Sequence, residues 1–542
     1  MYLGLDLSTQ GLKALCIDSK LQVVFEESVQ FDVDLKEYGT TGGALKDSDG
    51  LTVTAPSLMF VAAFDKLLLS LKAKGLPLNE IKCISGAGQQ HGGVFWAQGA
   101  DNLLSSIDSK TPLTEQLAKV FSLANGPIWM DSSTGAECAH IEQVLGGPQK
   151  VADISGSRAC ERFTGPQIRK YLTQQPEIYA NTERIGLISS LIPSLLLGSV
   201  APIDQSDASG MTLLDLKTAD WSDQLLAATA GSESAGQELK TKLGPPAPCD
   251  ALLGFVQSSL CERYGFNPDC QVTPFTGDNP SSLAGLVIQA EGDVCISLGS
   301  SDTLFGILRN PSPAAAEGHV FVSPTVRKSY MVMQCYKNGS LTREHIRDNY
   351  ATKSDPSDSN PWAGFDTDVQ SAPLGTGDQT GFFFKEPEVT PLCKQAGIFV
   401  VSADGKVTNT FSDPSHTARA CLESRALSLR SHCASLGLQA SRVLATGGAS
   451  ANTTLLQMLA DVFGCNVHAS AVTSSAAMGG AYRALYALQA KSSEKSFGEV
   501  LVEHGYEYPG VTKTPNADNV NAYTQMVAVY AQREETLLNS LN

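Results

Sequence analysis

Two stretches of the chain, "YLGLDLSTQGLKALCID" from Tyr2 to Asp18 and "VCISLGSSDTLFGIL" from Val294 to Leu308, share one pattern. Each is an apolar run, a turn built from Gly, Ser and Thr, and a second apolar run. Backbone N–H groups at such a turn form an anion-binding concavity, to which small hydroxyls add donors. Ser8 and Thr9 stand at the first tip, and Gly299, Ser300 and Ser301 at the second. Taken singly, these residues fill turns for conformational reasons. Taken as a facing pair with Asp6 between them, they predict a site for a phosphate chain. Asp6, at a strand tip beside donors, reads either as a turn cap or as an oxygen ligand for a hard cation such as magnesium.

Four further motifs place chemistry at element ends. Asp278 in "FTGDNP" lies where a strand turns into a helix; alone it reads as a helix N-cap. His91 follows two glutamines and precedes two glycines in "GQQHGG", which predicts an exposed loop. Arg162 in "ERFTG" offers a fork of donors suited to hydroxyls and a carbonyl oxygen, or an ion pair with Glu161 or Asp153. The "TGGAS" turn, with Gly447 and Gly448 followed by Asn452, allows close backbone approach to a ligand.

The elements that must hold these residues follow from periodicity. Strands over Tyr2–Leu7, Leu12–Asp18 and Leu21–Val29 form a meander. A helix opened by Pro56 and carried by Leu58, Val61, Ala62, Phe64 and Leu68 comes next, then the strand "IKCIS". Later, "CQVTPFTGDNPSSLAGLVI" reads as a strand, a tight turn and the start of a helix. A long helix is expected with Asp413 as its cap, Pro414 in its first turn and a stripe at Ala418, Leu422, Ala426, Leu429 and Cys433. Two related α/β domains result, 1–267 and 268–542, with the boundary near Gly265–Cys270. Ser354–Asn360 reads as a surface loop without a function.

Composition narrows the partners. A chain of 542 residues exceeds one hydrophobic core. Its net charge of −17, with no basic run to offset it, excludes nucleic acid and anionic membrane as expected partners. The uncharged stretch Ile185–Ile203 is broken by Pro193, Gly198 and four serines, so it reads as a buried core helix. Thirteen irregularly spaced cysteines read as reduced thiols, with Cys16, Cys83, Cys295 and Cys465 in apolar runs. A first strand beginning at Tyr2 leaves no room for a leader, and a cytoplasmic location is expected.

The motifs "GLDLSTQGLKA", "GAGQQHGGVFW", "IWMDSSTGAEC", "FTGDNPSSLAG", "SLGSSDTLF" and "ATGGASANTTLLQMLADVFG" stand in the order expected of the FGGY carbohydrate kinases, which this chain resembles from Tyr2 to about Tyr486. The resemblance implies two actin-like, ribonuclease-H-like domains with an active-site cleft between them. It is nearest to the eukaryotic branch that phosphorylates the 5-hydroxyl of D-xylulose. Kinases of ribulose, glycerol or gluconate are the alternatives, followed by an actin-like ATPase and a non-catalytic sugar-binding regulator. Two positions depart from many bacterial relatives: Gln90 stands where they carry Met, and "SST" follows "WMD" where they carry Arg.

The resemblance also implies roles. Asp278 would be the general base. His91, Arg162, Asp278 and Asn279 would hold the sugar. Ser8, Thr9, Gly299, Ser300, Ser301, Trp362, Gly447, Gly448 and Asn452 would hold ATP, the co-substrate, and Asp6 would hold Mg2+. Asp131 would orient a loop. The expected partners are a small sugar and ATP, with the chain a monomer or homodimer.

Overall fold

The computed structural model describes residues 1–541 apart from 356, 414, 471 and 491–493. It is an α/β structure whose chain divides into two compact units. The first comprises Met1–Gln289, Val320–Met331 and Ser474–Glu507; the second comprises Ala290–His319, Val332–Thr473 and Tyr508–Asn542.

In the first unit, β1 (Tyr2–Leu7), β2 (Gly11–Ile17) and β3 (Val23–Gln30) form the expected antiparallel meander. The other edge of β1 pairs in parallel with β4 (Cys83–Gly88), which runs from Tyr2↔Cys83 to Leu7↔Gly88. The "CQVTPFTG" stretch is two short strands rather than one, interrupted at Thr273–Phe275. With β5 (Gly254–Phe255), β6 (Gln271–Val272) and β7 (Thr276–Gly277), the sheet order is β5-β6-β4-β1-β2-β3, with β7 also on β4. Leu3, Leu5, Leu7 and Ile84 enter one core with Met59, Phe60 and Phe64 of the helix Ser57–Ala73. That helix turns Leu58 and Ala62 partly outward, so its buried face is rotated from the stripe that the sequence predicts.

The second unit repeats this plan. β8 (Asp293–Leu298) and β9 (Asp302–Leu308) form an antiparallel hairpin. Next to β9 comes β10 (Tyr330–Tyr336). On its other edge β8 pairs in parallel with β11 (Arg442–Thr446), followed by β12 (Asn466–Ala469). The order β4-β1-β2-β3 thus recurs as β11-β8-β9-β10.

The single cut expected at 267/268 falls inside the first unit. That unit continues through the helix Asp278–Gly285 and takes in the helix Ser475–Ala490. Their crossing explains why. A Cβ on Gly479 would overlap the Ser281 carbonyl and one on Gly285 the Ser475 carbonyl, so glycines let the two backbones touch.

Other expectations change locally. Ile185–Ile203 enters as the strand Thr182–Leu187 and becomes helical only at Ile188, running to Leu197 with Gly198 as a left-handed cap. The helix residues from Ile188 to Leu196 are buried. Among the described residues no helix is long and apolar enough to cross a membrane. Cys16, Cys83, Cys295 and Cys465 are buried free thiols. The long helix begins at His416 with Ser415 in the cap position; Asp413, two residues before the cap, accepts from the Ser415 N–H at 3.0 Å, and Pro414 lies outside the described residues. Its stripe Ala418, Leu422, Ala426, Leu429 and Cys433 is buried as expected.

Candidate active site

In the first unit, the β1–β2 turn brings Asp6 into register with Lys13. Lys13 Nζ donates to Ser474 Oγ at 2.9 Å. Asp6 Oδ1 is buried without a hydrogen-bond partner among the described residues. Burial pushes the Asp6 carboxyl up to about 7; the charge of Asp278 adds to the rise, and the Lys13 ammonium opposes it. Ser8 uses both its donors inside the turn, with N–H and Oγ each meeting the Gly11 carbonyl at 2.9 and 3.0 Å. Thr9 differs. Its hydroxyl accepts from Trp129 Nε1 at 2.9 Å, which leaves its own proton able to donate elsewhere.

Asp278 opens the helix Asp278–Gly285, and Gly277 occupies the N-cap. The cap reading of Asp278 therefore gives way: its Oδ1 accepts from the Asn279 N–H at 2.9 Å, and the cap position falls on Gly277. Burial raises its carboxyl to about 6, against the backbone donors of Asn279 and Gln90. Asn279 Nδ2 donates to Gln90 Oε1 at 3.0 Å and to Asp278 Oδ1 at 3.3 Å.

His91 overturns the exposed-loop expectation. It is 4% exposed, adopts φ +70°, and stacks on Phe163 with ring centroids 4.4 Å apart. Its Nδ1 lies 2.9 Å from the Gly210 carbonyl, an acceptor only, so Nδ1 carries a proton. Arg162, half-buried, places its guanidinium 5.8 Å from the centre of the same Phe163 ring. Phe163 thus joins two residues that lie 71 positions apart in the chain. Asp131 gathers a loop: it accepts from Val53 N, Ser133 N and Gln167 Nε2 at 2.9, 3.0 and 2.7 Å.

In the second unit, a cavity of about 660 Å³ is lined by Gly299, Ser300, Trp362, Gly448 and Asn452, five of the predicted nucleotide residues. The tip of the β8–β9 hairpin is pinned there, because its Gly299 and Ser300 carbonyls accept from Ser340 and Gly339 at the start of the helix Ser340–Asn349. Trp362 stands edge-on to Phe365, and the Arg347 guanidinium lies 4.4 Å from its ring centre. Asn452 caps the helix Thr453–Phe463 through Leu455 N at 2.8 Å and donates to Asp366 at 3.2 Å. Ser301 and Gly447 are not among the lining residues. Gly447 has a packing reason instead: φ is +85°, and a Cβ there would stand 2.6 Å from the Leu298 carbonyl. Asn360, at the end of the loop given no function from sequence, lines the cavity.

The residues that sequence reasoning missed are Lys13, Gln89 and Asp207. Gln89 is fully buried with neither amide atom partnered among the described residues. Buried polar atoms without partners mark places where a polar ligand or water completes the bonding. The available signal was polar residues, "QQ" and "DQSDAS", inside otherwise apolar runs.

The duplicated sheets and the cavity beside the second hairpin agree with a carbohydrate kinase, and the chain belongs to the FGGY family of carbohydrate kinases. Its N-terminal domain model matches residues 119–285 and its C-terminal domain model residues 294–488. Over 540 residues the chain is 44% identical to xylulose kinase of Rattus norvegicus, covering 99% of this chain and 97% of the rat protein. It is 42% identical to xylulose kinase 2 of Arabidopsis thaliana over 500 residues, covering 90% of this chain and 87% of the plant protein. The fold matches the crystal structure of xylulose kinase from Rhodospirillum rubrum with a TM-score of 0.79 at 16% identity, covering 100% and 99% of the two chains. It also matches a gluconate kinase from Lactobacillus acidophilus with a TM-score of 0.77 at 18% identity, covering 99% and 98%. The fold therefore does not choose the sugar.

Proposed function

We propose that this chain phosphorylates D-xylulose on its 5-hydroxyl, with ATP as phosphoryl donor. The observation that carries this reading is identity of 42–44% to proteins named xylulose kinase along nearly the whole chain. That similarity extends through the segments that hold His91, Arg162 and Asp278.

Phosphoryl transfer needs positioning, charge neutralisation and a proton acceptor near the attacking hydroxyl. Asp278 serves as that acceptor. With a carboxyl near 6 it is ionised at neutral pH yet basic enough to take the hydroxyl proton as the oxygen attacks the γ-phosphorus and ADP leaves. Asn279 holds the sugar through an amide oriented by Gln90. His91, fixed by the Gly210 carbonyl and stacked on Phe163, contacts the sugar with Arg162 beside it. Thr9 turns its remaining proton toward the phosphates, while Ser8 and Gly447 shape their turns. Gly299, Ser300, Gly448 and Asn452 hold the nucleotide, and Trp362 stacks on its base.

The donor set at Asp6 fits magnesium. One buried, unpartnered carboxylate oxygen matches a small hard cation that keeps waters and shares phosphate oxygens, and among the described residues no larger cluster of metal ligands forms. Asp6 would hold the ion, which would neutralise phosphate charge. ADP release with MgATP across D-xylulose, D-ribulose, L-ribulose, glycerol and gluconate tests the reading. D-xylulose should give the highest kcat/KM; glycerol or gluconate as the clear best substrate would refute it.

A further inference from the structure

Behind Asp278 sits a second carboxyl for which the chemistry above has no use. Asp207, in the short helix Gln205–Ala208, is 1% exposed. Ser189 Oγ donates to its Oδ2 at 2.6 Å, and its Oδ1 has no hydrogen-bond partner among the described residues. That oxygen faces Gly277: a Cβ at 277 would stand 2.7 Å from it and would overlap the Gln90 side chain. Gly277 has φ −64° and ψ 156°, a conformation open to any residue, so the space taken by Asp207 and Gln90 is what excludes a side chain there.

The surroundings bind Asp207 to the proposed base. Asp204 accepts from the Ser206 and Asp207 N–H groups at 3.0 and 3.3 Å, from Thr276 Oγ1 at 2.7 Å and from Arg483 Nη2 at 3.1 Å. Thr276, Gly277 and Asp278 are consecutive, so the short helix and the strand end that delivers Asp278 share one buried polar block. The Gln90 amide lies against the Asp207 carboxyl and accepts from Asn279. The charged groups acting on Asp207 are Asp204 from its own segment and Asp278 from the helix Asp278–Gly285; Arg483, from the helix Ser475–Ala490, is bonded to Asp204. His91 lies nearby with its Nδ1 on Gly210.

We propose that Asp207 is a positioning residue for Asp278, acting in its neutral form through Gln90 and the Gly277 peptide. This rests on the reading of Asp278 as the base. Burial, reinforced by the charges of Asp204 and Asp278, keeps Asp207 an acid up to about pH 8, against the Ser189 donor. Its ionisation puts a further negative charge behind the base and opposes the charge that develops on the attacking oxygen and transferring phosphoryl group.

The test compares full-length parent, D207N and D207A in pH profiles of kcat with MgATP and D-xylulose. D207A should lower kcat about 10- to 100-fold, the scale of lost positioning, with the KM for ATP within a few-fold of the parent. D207N, which mimics the neutral acid, should restore kcat to within a few-fold below pH 7. It should also lack the fall that the parent shows as pH rises through about 8. An equal loss in D207N and D207A, or an unchanged alkaline limb in D207N, overturns the proposal. Should D207A fail to fold, the D207N profile decides alone. D278N separates the two ideas: an active D278N removes the base reading itself, whereas an inactive D278N beside a D207N with the parental profile overturns only the role of Asp207.

Discussion

Gln90 accepts from the side-chain amide of Asn279 at 3.0 Å, so the end of β4 and the start of the helix Asp278–Gly285 hold each other across 189 residues of sequence. Asn279 is thereby kept from turning its amide freely, and the neighbouring carboxyl of Asp278 accepts from the same nitrogen. Sugar affinity should depend on this contact. Q90A removes one hydrogen bond of about 1 kcal/mol and should raise the KM for D-xylulose about 5- to 10-fold, with the KM for ATP little changed. Steady-state kinetics with each substrate varied in turn measures both; an unchanged sugar KM would show that the Asn279 amide is set by other contacts.

Trp362 should act on the nucleotide alone. Stacking of a base on an aromatic ring is worth about 1–3 kcal/mol by alanine substitution, so W362A should raise the KM for ATP about tenfold or more. W362F should recover most of that loss. The KM for D-xylulose should stay within about twofold, and a selective effect on the sugar would move Trp362 out of the nucleotide site.

Asp6 carries a stability cost that its proposed role as an ion ligand would account for. Its folded carboxyl titrates near 7, above the usual value of about 3.9. Between those values the folded chain retains a proton that the unfolded chain has released, so stability falls as pH rises through that window. D6N removes the charge. Thermal unfolding without nucleotide should show D6N more stable than the parent at pH 8, by on the order of 2 °C, and nearly equal at pH 4. Turnover should drop about 100-fold or more, because the ion that would neutralise phosphate charge loses its carboxylate ligand. A D6N variant less stable than the parent at pH 8 would contradict the burial argument.

The parts legible in the sequence are those fixed by local chemistry. Strand, small-residue turn and strand appear in order at residues 2–18 and 294–308, and the structure repeats them with the same parallel neighbour in each sheet. Asp278 is visible for the same reason, since a strand-to-helix turn is a local feature. What distant packing decides was not legible. His91 looks exposed between Gln90 and Gly92, yet Phe163 and Gly210 enclose it. Gly447 looks like a ligand-facing glycine, yet the Leu298 carbonyl accounts for it. No motif singles out Asp207, and only the fold sets its carboxyl against Gly277. The helix Ser475–Ala490 joins the first unit through glycine contacts with the helix Asp278–Gly285, which no local pattern announces.

Turnover of D278N measures the central claim most directly. Asn keeps the size of the side chain and much of its hydrogen bonding but cannot accept the hydroxyl proton, and Gly277 rather than Asp278 holds the helix cap. With MgATP and D-xylulose at neutral pH, kcat should fall by about two to four powers of ten, the range for loss of a general base. Xylulose binding by calorimetry should stay within a few-fold and thermal unfolding should remain close to that of the parent. A folded D278N variant that binds xylulose and turns it over within a few-fold of the parent would contradict the account.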